Sequence, residues 1–182
     1  MRLLLVFSTL ALIFFYALLQ KNQLAKKFSP EISFSKELIK TIPDFKFISF
    51  ATNQEITLRD FWEVDTRGLI VHFWATWCAP CEEEFPSLLN FIKKNEDSKI
   101  KFLLVAVNDD VIKIKKFLEK NKTLPKNMIL ALDNSGQTLD LFGTEKLPET
   151  YLFDSQKKIY TKWIGPQDWQ AEYYQDQLSK IK

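Results

Sequence analysis

The stretch "HFWATWCAPCEEEFPSL", residues 72 to 88, holds both cysteines of the chain, Cys78 and Cys81, just ahead of three consecutive glutamates. A bridge between cysteines this close restrains little unfolded-chain entropy, so the pair is a poor structural staple. It is also a poor start for a structural zinc site, which needs four ligands, because the chain adds a single histidine, His72, to its two thiols. Thiol–disulfide exchange is what the spacing suits. An apolar run ends and a helical pattern begins at Cys78, where unsatisfied backbone N–H groups and the positive helix end stabilise a thiolate. Exposure at that point marks Cys78 as the nucleophile. Cys81 lies one turn into the helix on the same side and can resolve the mixed disulfide that Cys78 forms. Pro80, between them, favours the helical backbone through its fixed φ.

Glu82 and Glu83 read as ordinary acid at a helix N-terminus. Negative charge there also opposes thiolate formation at Cys78, which is the property of a reductant. Glu84 stands apart, because it is three residues after Cys81 on the same helix face, where it can accept or return the resolving thiol's proton. His72 interrupts an apolar strand on the side shared by Trp74 and Thr76. It reads first as a buried, neutral, hydrogen-bonded core histidine and second as a candidate proton relay to Cys81. Trp74 and Trp77 read as core and lip of the site. Farther on, "KLPET" puts Leu147 and Pro148 at a sharp entry to a strand, the usual setting of a cis X-Pro bond.

The surrounding pattern says what positions these residues. In "IPDFKFISFATNQEITLRDFW", Phe45, Phe47 and Ile48 alternate with polar residues, "ATNQE" turns and "ITL" returns, predicting a β-hairpin before a short helix at Asp60 to Trp62. "LIVHFWA" reads as a central buried strand and is followed by a helix from Pro80 to Asn95, with a kink expected at Pro86. "IKFLLVAVN", "NMILALD", "ETYLFD" and "KKIYTKWIG" predict four more strands. Between them lie a helix whose first turn carries Asp109 and Asp110 and a short helix in "GQTLDLFG". A last helix starts near Pro166. Alternating strands and helices, then two strands joined at "DSQKK", specify an α/β domain with a mixed sheet and helices on both faces.

The chain's 46% hydrophobic content, with 16 Phe and 5 Trp in 182 residues, suffices for one ordinary core. A net charge of +2, without any basic stripe, leaves nucleic acid without an electrostatic footprint. Leu3 to Leu19 are uncharged and almost wholly apolar. As a helix they would span about 26 Å, slightly short of a bilayer core of about 30 Å. With no small-x-small cleavage site after it, the segment reads as an uncleaved anchor over residues 1–20, with a cleaved signal peptide as the alternative. A tether over 21–41 then leads to the domain at 42–182. Arg2 against Lys21, Lys26 and Lys27 does not favour an outside domain, but an N-terminal hydrophobic segment usually serves export, and that sets the expectation of a domain outside the cytoplasm.

"VHFWATWCAPCEEEFPSL" and "KLPETYLFD" together resemble the thioredoxin superfamily and, within it, the membrane-anchored, extracytoplasmic TlpA/ResA branch that includes the thiol reductases of cytochrome c maturation. The resemblance covers roughly residues 42–182. It implies a thioredoxin-like fold with an added N-terminal hairpin, a nucleophile matching Cys78 and a resolving thiol matching Cys81. It also implies a cis proline matching Pro148 at a substrate groove shared with Trp77, Pro80 and Leu147, and a thiol-tuning acid matching Glu84. The implied partners are a membrane thiol donor and exported protein disulfides such as apocytochrome c. No cofactor beyond the Cys78–Cys81 dithiol is expected. His72 departs from the pattern: thioredoxins place aspartate there and the branch often asparagine, so proton movement falls to Glu84 or His72. The other function class is a metal-binding module carrying copper on the two thiols, although thioredoxin-like copper chaperones use a wider spacing and a histidine on a distant loop.

Overall fold

The computed structural model describes residues 40–119 and 124–181, together with Tyr16. The anchor expected over residues 1–20, Tyr16 apart, and the tether expected over 21–41, its last two residues apart, lie outside the described residues. Among the described residues no helix is long and apolar enough to cross a membrane. The chain divides into two units, Met1–Ser33 and Phe34–Lys182, and the second carries the sheet.

That sheet has seven strands in the order β2-β1-β5-β4-β3-β6-β7. β1 (Lys46–Ser49) and β2 (Glu55–Thr57) form the expected antiparallel hairpin. Phe45 and Phe47 turn inward, but Ile48 faces solvent, because a period of two admits only one of two neighbours to the core. The short helix α1 (Leu58–Phe61) starts where Thr57 and Asp60 satisfy each other's backbone N–H groups in a capping box.

β3 (Gly68–Trp74) is buried along its whole length, parallel to β4 (Ile100–Val107) on one side and antiparallel to β6 (Glu149–Asp154) on the other. Its first residue must be glycine, since a Cβ at Gly68 would lie 2.7 Å from the Phe153 carbonyl oxygen. Alternation along β3 divides the core in two. Ile70 and Trp74 face α2 (Ala79–Lys94), α3 (Val111–Leu118) and α5 (Glu172–Lys180); Leu69, Val71 and Phe73 face the hairpin, α1 and α4 (Gln137–Phe142). β5 (Met128–Asp133) and β7 (Ile159–Ile164) complete a mixed sheet with helices on both faces. This is the thioredoxin-like fold expected.

α2 runs on past Pro86 to Lys94. Two expected helix starts differ. Only Asp110 caps α3, accepting from the Ile112 and Lys113 amides, while Asp109 precedes the helix and is engaged elsewhere. α5 begins at Glu172, six residues after Pro166, because the Gln167 amide donates to Glu84 and the Gln170 and Ala171 amides to Asp168 instead of into a helix.

Candidate active site

β3 ends at Trp74, the chain turns at Thr76 and Trp77, and α2 begins after Cys78, its N-cap residue. The turn is clamped from the end of β4. Asp109 accepts from the Thr76 amide at 2.5 Å and from the Thr76 hydroxyl at 2.7 Å, and the Trp77 indole N–H donates to the Asn108 carbonyl at 3.0 Å. Asn108 carries a positive φ of 48°, which lets the strand turn sharply enough to present that carbonyl. Trp77 thereby stays 59% exposed beside the cysteines, a lip as expected, whereas Trp74 is fully buried.

Cys78 and Cys81 form a disulfide with Cα atoms 5.3 Å apart. Cys78 lines an open groove of about 460 Å³ with Trp77, Pro80 and Leu147, while Cys81 is fully buried behind it. Cys78 is itself only 7% exposed, so in place of the exposure expected of it, what distinguishes it from Cys81 is its place on the groove wall. The Leu147–Pro148 peptide is cis, and Leu147 lines the groove together with the start of the helix. Pro148 is itself buried and is not among the lining residues; its carbonyl accepts from the Gly165 amide at 2.9 Å.

Behind Cys81 the surroundings change. Glu84 is 6% exposed, and its Oε2 accepts from the Gln167 amide at 2.7 Å and the Trp169 indole N–H at 3.2 Å. The Tyr174 hydroxyl donates to the Gln167 side-chain oxygen at 2.6 Å and so steadies that loop. Glu84 Oε1 lies 3.4 Å from His72 Nε2, and neither atom has a hydrogen-bond partner among the described residues. His72 Nδ1 is 2.8 Å from the Thr150 hydroxyl, its antiparallel neighbour on β6. Burial pushes Glu84 up to about 7, against the two hydrogen bonds that favour its charged form. The same burial pushes His72 down to about 3. Near neutrality the ring is uncharged and the carboxyl is poised between its two forms, so their contact is not an ion pair.

The structure thus gathers Cys78, Cys81, Trp77, Pro80 and Leu147 at one site, with Glu84 and His72 together beneath it. Glu82 and Glu83 remain exposed on α2. Four participants were not singled out in the sequence. Asp109 looked like helix acid, Gln167 and Trp169 fell in a predicted helix, and Thr150 becomes visible only through the β3–β6 register. A tryptophan and a glutamine between Pro166 and a helix were the available signal.

The chain matches a family model described as the AhpC/TSA family over residues 39–162. The thiol-disulfide oxidoreductase ResA of Geobacillus thermodenitrificans is 31% identical over 132 residues, 70% of this chain and 71% of that protein. ResA of Bacillus thuringiensis subsp. konkukian is 27% identical over 145 residues, 80% of this chain and 79% of its own length. Among solved structures, a thiol:disulfide interchange protein DsbE from Chlorobium tepidum superposes with a TM-score of 0.65 at 25% identity, covering 79% of this chain and 97% of that one. StoA from Bacillus subtilis does so with a TM-score of 0.60 at 20% identity, covering 76% of this chain and 98% of that one, a likeness of fold.

Proposed function

This chain belongs to the AhpC/TSA family of thioredoxin-like proteins and is a thiol-disulfide oxidoreductase, and from that premise we propose that it works as a reductase of exported proteins, apocytochrome c among them. In this reading the apolar segment Leu3 to Leu19 anchors it in the cytoplasmic membrane, the domain faces outward, and a membrane thiol donor restores the dithiol. The observation that carries the reading is the buried Glu84 carboxyl, one helical turn behind a buried Cys81, with Cys78 alone open to the groove.

The groove binds a segment of substrate against Trp77 and Leu147. The Cys78 thiolate attacks the substrate disulfide; a Cys78–substrate bond forms and the first substrate thiolate leaves. Cys81 then gives its proton to the Glu84 carboxylate and attacks the Cys78 sulfur. The Cys78–substrate bond breaks, the second substrate sulfur departs with the electron pair and takes a proton from water, and the enzyme is left with its disulfide. A donor dithiol supplies two electrons to reopen the bridge, and Glu84 returns the proton to Cys81. Glu82 and Glu83 add negative charge near the helix start, which disfavours a standing thiolate and keeps the dithiol reducing.

The test is the reduction potential of the full-length chain against glutathione and dithiothreitol couples, with Cys78→Ser as control. A potential near that of thioredoxin, about −270 mV, supports the reductase; one near that of DsbA, about −120 mV, would make the protein an oxidant.

A further inference from the structure

The relay just described uses Glu84 and leaves His72 without a task, although the ring presents its Nε2, 3.4 Å away, to the one carboxylate oxygen that lacks a partner among the described residues. We propose that His72 and Glu84 form a one-proton dyad, in which the imidazole is a positioning residue that holds and re-aims the proton Glu84 exchanges with Cys81, while Thr150 anchors Nδ1–H throughout. This inference rests on the reading of Glu84 as the proton group of Cys81.

The charge count favours a single proton. With one proton on the carboxyl the pair is neutral; removing it leaves a buried negative charge and adding another a buried positive one, and burial disfavours both. The groups facing the pair supply no compensating charge. α2 brings Glu84 itself, with Cys81 one turn before it and Glu82 and Glu83 exposed. The loop before α5 offers the Gln167 amide and the Trp169 indole, both hydrogen-bond donors, while Asp168 is exposed. α5 offers the Tyr174 hydroxyl, which burial keeps protonated. β6 offers Thr150.

Two arrangements of the same atoms satisfy the pair. When Glu84 holds the proton, Oε1–H points at Nε2, and Nδ1–H donates to the Thr150 oxygen. When that proton crosses to Nε2, the ring holds it against the carboxylate from which Cys81 is served, and Nδ1–H goes on donating to the Thr150 oxygen. The Thr150 oxygen accepts from Nδ1 in both, so the ring keeps one orientation while the proton crosses at its other nitrogen. A core histidine kept only for packing would need no unpaired carboxylate oxygen beside its second nitrogen.

His72 is the chain's one histidine, so in protein made without a histidine tag its ring signals are unambiguous. The experiment follows imidazole nitrogen-15 and Glu84 carboxyl carbon-13 shifts of the oxidised, full-length chain in mild detergent as pH is varied. The ring nitrogens are expected to move at the midpoint of the Glu84 carboxyl and to stop doing so in Glu84→Gln. Ring shifts that stay flat through that midpoint, or an unchanged step in Glu84→Gln, would overturn the dyad. In His72→Asn the Glu84 midpoint should move by roughly one pH unit, a tenfold change in the ratio of its two forms; an unmoved midpoint in the folded variant would also overturn it. The parent reading fails separately. If resolution of the mixed disulfide is as fast in Glu84→Gln as in the parent chain while the ring and carboxyl still titrate together, Glu84 does not serve Cys81 but the dyad stands.

Discussion

Cys78 and Cys81 are three residues apart, yet their surroundings are opposites. Around Cys78 the groove is open, Trp77 is exposed and held by a backbone carbonyl, and the neighbouring acids face water. Cys81 is fully buried, and one turn on along α2 comes a carboxyl pushed up by burial, against a ring pushed down by it. One helical turn thus separates a side that selects and captures from a side that manages a proton. The asymmetry follows from where the helix starts: the N-cap residue sits at the lip, and the residue three later is carried beneath it onto the sheet. Division of labour between two identical thiols is therefore a property of fold position.

The comparison is broken most completely at the sulfurs. Cys78→Ser should drop disulfide reduction to background, since no second accessible nucleophile remains among the described residues. Cys81→Ser should still capture substrate and then stall, accumulating a mixed disulfide visible by mass spectrometry of unreduced samples. Equal trapping by both variants would mean that the two thiols are interchangeable. Next in size is Glu84→Gln, which keeps the shape and removes the proton site. Loss of a positioned acid–base group costs about 10²-fold or more, and the loss should fall on resolution in single-turnover mixing while capture by Cys78 keeps its rate. Slowing of both steps alike would merge the two sides.

The groove side is sharpened by Trp77→Ala. Removing an exposed aromatic anchor from a binding surface costs on the order of 1–2 kcal/mol, roughly tenfold in affinity. That cost should appear in KM for a protein disulfide, with kcat and the thiol titration unmoved. A change in the thiol titration instead would show that Trp77 acts on the buried side.

The two sides also differ in how far they can be read from sequence. The capture side follows short-range rules: an apolar run into Cys-x-x-Cys puts Cys78 at a helix start, and "KLPET" puts Pro148 at a strand entry. Glu84 follows equally, because three residues on a helix share a face. The proton side is long-range. Thr150 meets His72 only through a strand register across 78 residues, and Glu84 is reached from a loop 83 residues later. Periodicity carries neither separation. "PQDWQAEYY" reads as helix from Pro166 because Pro and acid are good first-turn residues, yet the Gln167 amide and the Trp169 indole are turned to the Glu84 carboxyl and the helix waits until Glu172. Asp109 likewise reads as first-turn acid, yet the clamp on Thr76 has the stronger claim on it.

The effect that most directly isolates the buried side is on stability, not on rate. Glu84 binds its proton more tightly folded than unfolded, about 7 against 4.5, so its contribution to stability is present below about 4.5 and is lost as pH rises through 7. His72 binds its proton less tightly folded, about 3 against 6.5, so its contribution is present above about 6.5 and is lost as pH falls towards 3. Between about 4.5 and 6.5 the two slopes oppose each other, each about 1.4 kcal/mol per pH unit. The parent chain should show a nearly flat stability there by urea unfolding of the oxidised protein. Glu84→Gln should unmask a stability that climbs with pH across that window, and His72→Asn one that declines. Slopes of the same sign in both variants would mean that the two groups do not titrate against each other, and the contrast between the two thiols would then rest on exposure alone.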